Sequence, residues 1–217
     1  MTPSAPAAPA PSRGRIDKRR AILDAAIVVF ARDGYAQASV DAIAAEARVA
    51  KPTIYNHLGG KENLFRSAMV EAAEESRRKV LATIERFPTD PPSPEALRTD
   101  LNAIAWQLVD CMRSAEGWAM SRLLYAEAGR FPDLYDAVQA EGGRQINEGL
   151  AGRLARLANA GHLELPDPLR AARHFMALIS GDIPGLSALG TRPVSERKLR
   201  ESIADGVDTF LRAFGKG

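Results

Sequence analysis

Residues 39 to 58 carry the pattern that most limits how this chain can fold. Two short stretches of helical apolar spacing, 40–47 and 52–58, are separated by only four residues. Ser39 offers a side-chain oxygen as the N-cap of the first helix. Pro52 fixes its own φ near a helical value, so the second helix should start at or next to it. The run therefore predicts a helix-turn-helix.

The second helix of this run has a predicted inner and an outer face. Ile54 and Leu58, four residues apart, should both face inward. The residues left outside are Thr53, Tyr55, Asn56 and His57. An exposed Tyr and His on a short helix are costly unless a partner covers them. Packing of these two side chains on the following helix is the structural alternative.

The turn and the start of the second helix are also informative. Val49 should fill the gap between the helices, and Arg48 lies where a left-handed conformation is often required, at some conformational cost. Neither Ala50 nor Lys51 has a side-chain oxygen that could cap the next helix. Free N–H groups near Lys51 and Thr53 would suit a phosphate, which favours DNA as the partner of this end.

Basic residues are concentrated in the first part of the chain. Residues 1–61 contain nine Lys and Arg against five Asp and Glu, whereas the net charge of the whole chain is +2. This distribution predicts that the amino-terminal part meets a polyanion and that the rest does not. Five of the nine basic residues lie between Arg13 and Arg20, where a phosphate or minor-groove contact and a solvated arm are equally good interpretations.

The rest of the chain has helical apolar spacing, which predicts an all-α protein of about nine helices. The first helix should run from Asp17 to about Arg32. Later breaks are predicted at 88–94, 131–132, 159–161 and 184–185. Asp167 and Pro168 resemble an N-cap followed by the first residue of a helix.

The last predicted helix, from about Ser195 to Phe214, has a longer apolar stripe than a solvent-exposed terminus needs. We expect this stripe, together with the helix before it, to be buried against a second copy of the chain in a four-helix bundle. The expected dimer-interface residues are Leu199, Ile203, Val207, Phe210, Leu211 and Phe214.

The run from Lys18 to Phe65 resembles the DNA-binding domain of the TetR family of transcriptional regulators. The resemblance rests on Gly34-Tyr35, on the segments 39–44 and 49–57, and on Lys61-Glu62 followed by Leu64-Phe65. The segment from Arg122 to Leu134 is similar to the ligand domain of the AefR-like branch of that family. Residues 1–14 are expected to form a disordered tail, because the Pro, Ala and Ser residues at its start offer nothing to bury. The resemblance implies a three-helix helix-turn-helix domain at 15–62 and a helical ligand-binding and dimerisation domain at 63–217.

The resemblance also implies roles for individual residues. Tyr55 and His57 would contact phosphates, Lys51, Pro52 or Asn56 would lie nearer base edges, and Lys61 would hold the DNA backbone. The full set of candidate DNA-binding residues is Ser39, Arg48, Lys51, Pro52, Thr53, Tyr55, Asn56, His57 and Lys61. Three positions depart from the family pattern: Arg48 replaces the usual Gly, Ala50 the usual Ser or Thr, and Leu58 the usual Phe.

In such proteins a ligand in the carboxy-terminal domain alters the spacing of two recognition helices. We expect a palindromic double-stranded DNA operator and a small apolar or amphipathic effector that releases a repressor from it. Candidate pocket residues are large, adaptable or polar at one end: Trp106, Met112, Trp118, Tyr125, Phe175, Met176 and Ile179. Core packing explains each of them equally well.

Other classes of protein fit the sequence less well. No apolar stretch is long enough to span a bilayer, and Cys111 is alone, so we expect a cytoplasmic protein. The three His residues are far apart, and no phosphate loop or dinucleotide fingerprint occurs, so we predict no enzyme, metal site or cofactor. An activator and a ligand-independent architectural DNA-binding protein remain as alternatives.

Overall fold

The computed structural model describes residues 13–216, with side chains from residue 18 onward. This part of the chain forms ten helices, nine of seven residues or more and one of five. They are α1 (Arg13–Gln37), α2 (Val40–Glu46), α3 (Lys51–Leu58), α4 (Lys61–Glu85), α5 (Pro94–Met112), α6 (Ala115–Ala126), α7 (Pro132–Asn159), α8 (Pro168–Ser180), α9 (Ile183–Ser187) and α10 (Glu196–Phe214). An isolated antiparallel bridge pairs Leu163 with Gly215. The all-α prediction is confirmed.

Helix α1 differs from its predicted limits at both ends. It starts at Arg13 rather than at Asp17, so the last two residues of the predicted tail, 1–14, are helical; residues 1–12 lie outside the described part. At Gly34 the backbone leaves helical geometry, with φ 73° and ψ 160°. The end predicted at about Arg32 therefore falls two residues before this break, and helical bonding resumes as far as Gln37.

The chain divides into two compact units between Glu71 and Ala72, within α4. The core of the first unit contains three aromatic rings. The ring of Phe65 lies edge-on to those of Phe30 and Tyr35, with centroids 5.0 and 4.9 Å away. All three side chains are buried. Burial of such rings is a large part of what stabilises a core of this size.

The second unit is built around α10, which packs on α8 and α5, while α7 packs on α8. In this core Phe210 of α10 meets Phe175 of α8 edge-on, with centroids 5.0 Å apart. No helix in the described residues is long and apolar enough to cross a membrane.

The expected use of the apolar stripe on α10 is wrong for four of its six residues. Leu199, Ile203, Val207 and Phe210 are at most 3% exposed, because they pack into the core of their own chain. Leu211 and Phe214 are half-buried against the same core. Periodicity shows that one face of a helix needs covering, but not that α5 and α8 of the same chain cover it.

The start of α8 agrees with the sequence, whereas the break predicted at 184–185 is wrong, because α8 already ends at Ser180 and residues 184–185 lie within α9. Asp167 caps the helix, and its carboxylate accepts a hydrogen bond from the backbone N–H of Arg170 at 2.9 Å. This bond stabilises the ionised carboxyl and holds the pKa of Asp167 below its ordinary value. Pro168 follows in the first turn, as predicted.

Candidate nucleic-acid interface

Helix α2 and the turn after it form as predicted. The hydroxyl of Ser39 accepts a hydrogen bond from the N–H of Ala42 at 3.1 Å and so caps α2. Arg48 has a φ of 55°, the left-handed conformation expected for the turn. The N–H of Val49 donates to the carbonyl of Ala44 at 3.0 Å, and its side chain is half-buried.

Helix α3 begins at Lys51 with Pro52 in its first turn and Ala50 as an N-cap that gives no side-chain hydrogen bond. The absence of a side-chain cap agrees with the prediction. One of the N–H groups predicted to be free is not: that of Thr53 donates to the carbonyl of Ala50 at 2.9 Å. A tight turn of this kind partly satisfies a helix start without any side chain.

The two faces of α3 are those read from the sequence. Ile54 and Leu58 are buried, whereas the side chain of Tyr55 is 47% exposed. Lys51, Pro52 and Asn56 are exposed too. Tyr55 therefore does not pack away on the following helix. Thr53 and His57 are half-buried, so the structural alternative for His57 stays open.

Lys51 has a partner that the sequence did not indicate. Its ammonium donates a hydrogen bond to the Oδ2 atom of Asp41 at 2.9 Å, which joins the first turn of α3 to that of α2. The bond and the charge of Asp41 raise the pKa of Lys51. A carboxylate thus lies within the predicted DNA surface, and no motif pointed to it.

Lys61, at the start of α4, is already engaged within the first unit. Its ammonium donates to the carbonyl of Ala36 at 2.9 Å and lies 4.8 Å from the centroid of the Tyr35 ring. These contacts tie the start of α4 to the end of α1. A phosphate contact by Lys61 stays a prediction, and it would have to coexist with this structural role.

The basic arm before α2 is part of α1. Lys18, Arg19 and Arg20 are exposed on this helix, and Arg19 lies 3.7 Å from Glu71. The side chains of Arg13 and Arg15 lie outside the described residues. The arm therefore continues a helix rather than forming an extended strand.

The seven predicted pocket residues lie in different environments of the second unit. Phe175 and Ile179 are fully buried in the core, whereas Met112 and Tyr125 are exposed. Trp106 is flanked by the guanidinium of Arg200, 4.1 Å from its ring centroid. Trp118 packs on Gly190, and Met176 lies half-buried beside the core. Five of the seven lie in or against one apolar core, whereas Met112 and Tyr125 are exposed. Size and polarity in the sequence do not separate core residues from pocket residues.

Both parts of the chain match described families. Residues 22–68 match the family described as bacterial regulatory proteins, tetR family, and residues 99–216 match the AefR-like transcriptional repressor, C-terminal domain. A curated relative, the HTH-type transcriptional repressor SCO4008 of Streptomyces coelicolor, is 41% identical over 70 residues. That match covers 32% of this chain and only 33% of the relative.

Solved structures extend the likeness to nearly the whole chain. A TetR-family transcriptional regulator from Mesorhizobium loti superposes with a TM-score of 0.83 at 25% identity, covering 95% of this chain and 100% of the other. The flavonoid-responsive regulator FrrA is 31% identical with a TM-score of 0.67, covering 92% of this chain and 97% of FrrA.

Arg48 gives a test of the turn. Replacing it with Gly should raise the free energy of unfolding by about 1 kcal/mol, because Gly adopts positive φ without a Cβ clash. The same change should weaken DNA binding by removing a positive charge. Urea unfolding and binding to a DNA duplex measure the two effects. Arg48→Lys, which keeps both charge and strain, should change neither by much. A less stable Gly variant, or one with unchanged affinity, would contradict this account of Arg48.

Proposed function

Because this chain belongs to the TetR family of transcriptional regulators, we propose that it is a repressor that binds a palindromic operator as a homodimer and leaves it when a small molecule binds. Members of the family are DNA-binding regulators rather than enzymes. The observation that carries the proposal is the exposed face of α3, where Lys51, Pro52, Tyr55 and Asn56 lie opposite the buried Ile54 and Leu58.

An exposed polar face on a short helix suits the major groove, which is about 12 Å wide and admits one helix. Asn56 has the amide that pairs with the N6 and N7 atoms of adenine, and Lys51 donates well to guanine. Tyr55 and His57 would donate to phosphates. Ser39, Arg48, Thr53 and Lys61 complete the proposed DNA surface. Phosphate contacts set the register, and base contacts set the sequence.

The geometry of double-stranded DNA supports the proposed homodimer. Two recognition helices must enter successive major grooves about 34–36 Å apart, and a two-fold dimer reads a palindrome. Because most of the α10 stripe is used within the chain, the interface we propose is the outer face of α8 with the half-buried Leu211 and Phe214. Leu178 of α8 is 36% exposed, and a second copy of the chain would cover this apolar surface.

Release by a small molecule is supported by the likeness to FrrA, which is described as flavonoid-responsive. An apolar or amphipathic effector in the second unit would act by binding more tightly to the conformer that does not fit the operator. The matches to AefR-like repressors and to SCO4008 favour repression over activation.

Selection of bound sequences from a random duplex pool tests the DNA proposal. We expect a palindrome whose half-site centres are one helical turn, about 10 base pairs, apart or a multiple of it. Asn56→Ala should relax the preference at one position per half-site. Tyr55→Phe should instead weaken all duplexes by a similar factor. Equal binding to scrambled duplexes by the unaltered protein would indicate an architectural protein and contradict the proposal.

The dimer surface can be tested separately from the core. Leu178→Glu should give monomers in sedimentation and lower operator affinity, because a charge would be buried at the interface. Val70→Glu is the matched control, since Val70 of α4 is 42% exposed and belongs to the first unit. It should leave the dimer intact. A dimeric Leu178→Glu variant would place the interface elsewhere.

A further inference from the structure

Asp41 is an acidic residue in the midst of the proposed DNA surface. It lies two residues after the capping Ser39, in the first turn of α2, and its Oδ2 atom is 2.9 Å from the ammonium of Lys51. The pair joins the two helices of the motif across ten residues of sequence. An acid at this place needs a reason, because a carboxylate is repelled by every phosphate that approaches it.

Folding gives only a weak reason for the pair. The side chain of Asp41 is 69% exposed and that of Lys51 is 45% exposed. Ion pairs so open to water are screened by salt and contribute little to stability. The burial of Val40, Ile43, Ile54 and Leu58 already fixes how α2 and α3 pack. What the pair does change is the availability of the Lys51 ammonium at the start of α3, because the bond to Asp41 already engages it.

We propose that Asp41 is a specificity-determining residue that withholds Lys51 from phosphates on DNA of arbitrary sequence. Paired with a carboxylate, Lys51 adds no net charge to the surface and displaces few counterions. Its ammonium has three N–H donors, of which the carboxylate takes one. The other two can meet the O6 and N7 atoms of a guanine where the operator offers one. This role rests on the proposed function, because it assumes that α3 enters the major groove.

The inference predicts the size of a change in the salt dependence of DNA binding. Each phosphate newly neutralised on duplex DNA adds about 0.9 to the slope of log affinity against log salt. If Asp41→Asn frees Lys51 to neutralise one phosphate per protomer, the slope for a random-sequence duplex should steepen by about 0.9 per protomer. Between 1 M and 0.1 M salt, the affinity of the variant for this duplex should therefore rise about eightfold more per protomer than that of the unaltered protein. Operator affinity should rise less, so discrimination should fall.

The chain offers a matched control for the loss of negative charge. Glu46 ends the same helix, about 7.5 Å along its axis from Asp41, at the rise of an α-helix. Glu46→Gln removes the same charge without touching Lys51. In the double variant Asp41→Asn with Lys51→Met the steeper slope should disappear. Thermal unfolding of each variant detects any loss of the favourable interaction between Asp41 and the start of α2.

The experiment measures binding of the full-length protein to a random-sequence duplex and to the selected operator at several salt concentrations. The inference predicts a steeper slope and lower discrimination for Asp41→Asn than for Glu46→Gln. Equal slopes for these two variants, or a steeper slope that persists without Lys51, would overturn it. If the unaltered protein shows no preferred duplex, the proposed function fails, and the slopes on random-sequence DNA still decide whether Asp41 withholds Lys51.

Discussion

The burial of Ile54 and Leu58 is the constraint on which the account of the amino-terminal unit depends. These two side chains fix the rotation of α3 about its axis, and they leave Lys51, Tyr55 and Asn56 exposed. The aromatic cluster of Phe30, Tyr35 and Phe65 lies in the core of the same unit. An eight-residue helix has little stability of its own, so tertiary packing must hold it in place.

The sequence predicted best those features that neighbouring residues determine. The cap at Ser39 and the first-turn Pro52 follow from residue type. The left-handed Arg48 follows from its place in the turn, against the preference of its residue type. The surface that covers the apolar stripe of α10 could not be predicted, because amphipathicity shows that a face is buried but not against which element. The pair of Asp41 and Lys51 was missed for a related reason: it depends on how α2 and α3 cross.

Arg48 and Asp41 affect the proposed DNA surface in different ways. The positive φ of Arg48 is a strained backbone that a smaller residue would relieve, and strain of this kind persists where the side chain is useful. Asp41 adds a negative charge to a surface proposed to meet DNA. A protein selected only for tight DNA binding would gain from the charge of Arg48 but not from that of Asp41. Asp41 fits the proposed regulator, whose task is discrimination among sequences.

Hydrogen–deuterium exchange with and without the selected operator tests the central claim most directly, because it shows which backbone N–H groups the DNA covers. The account predicts new protection over the start of α2, the turn at Arg48 and the whole of α3, with no new protection from direct contact in α5 or α7. Protection concentrated in the second unit, with α3 unchanged, would contradict it.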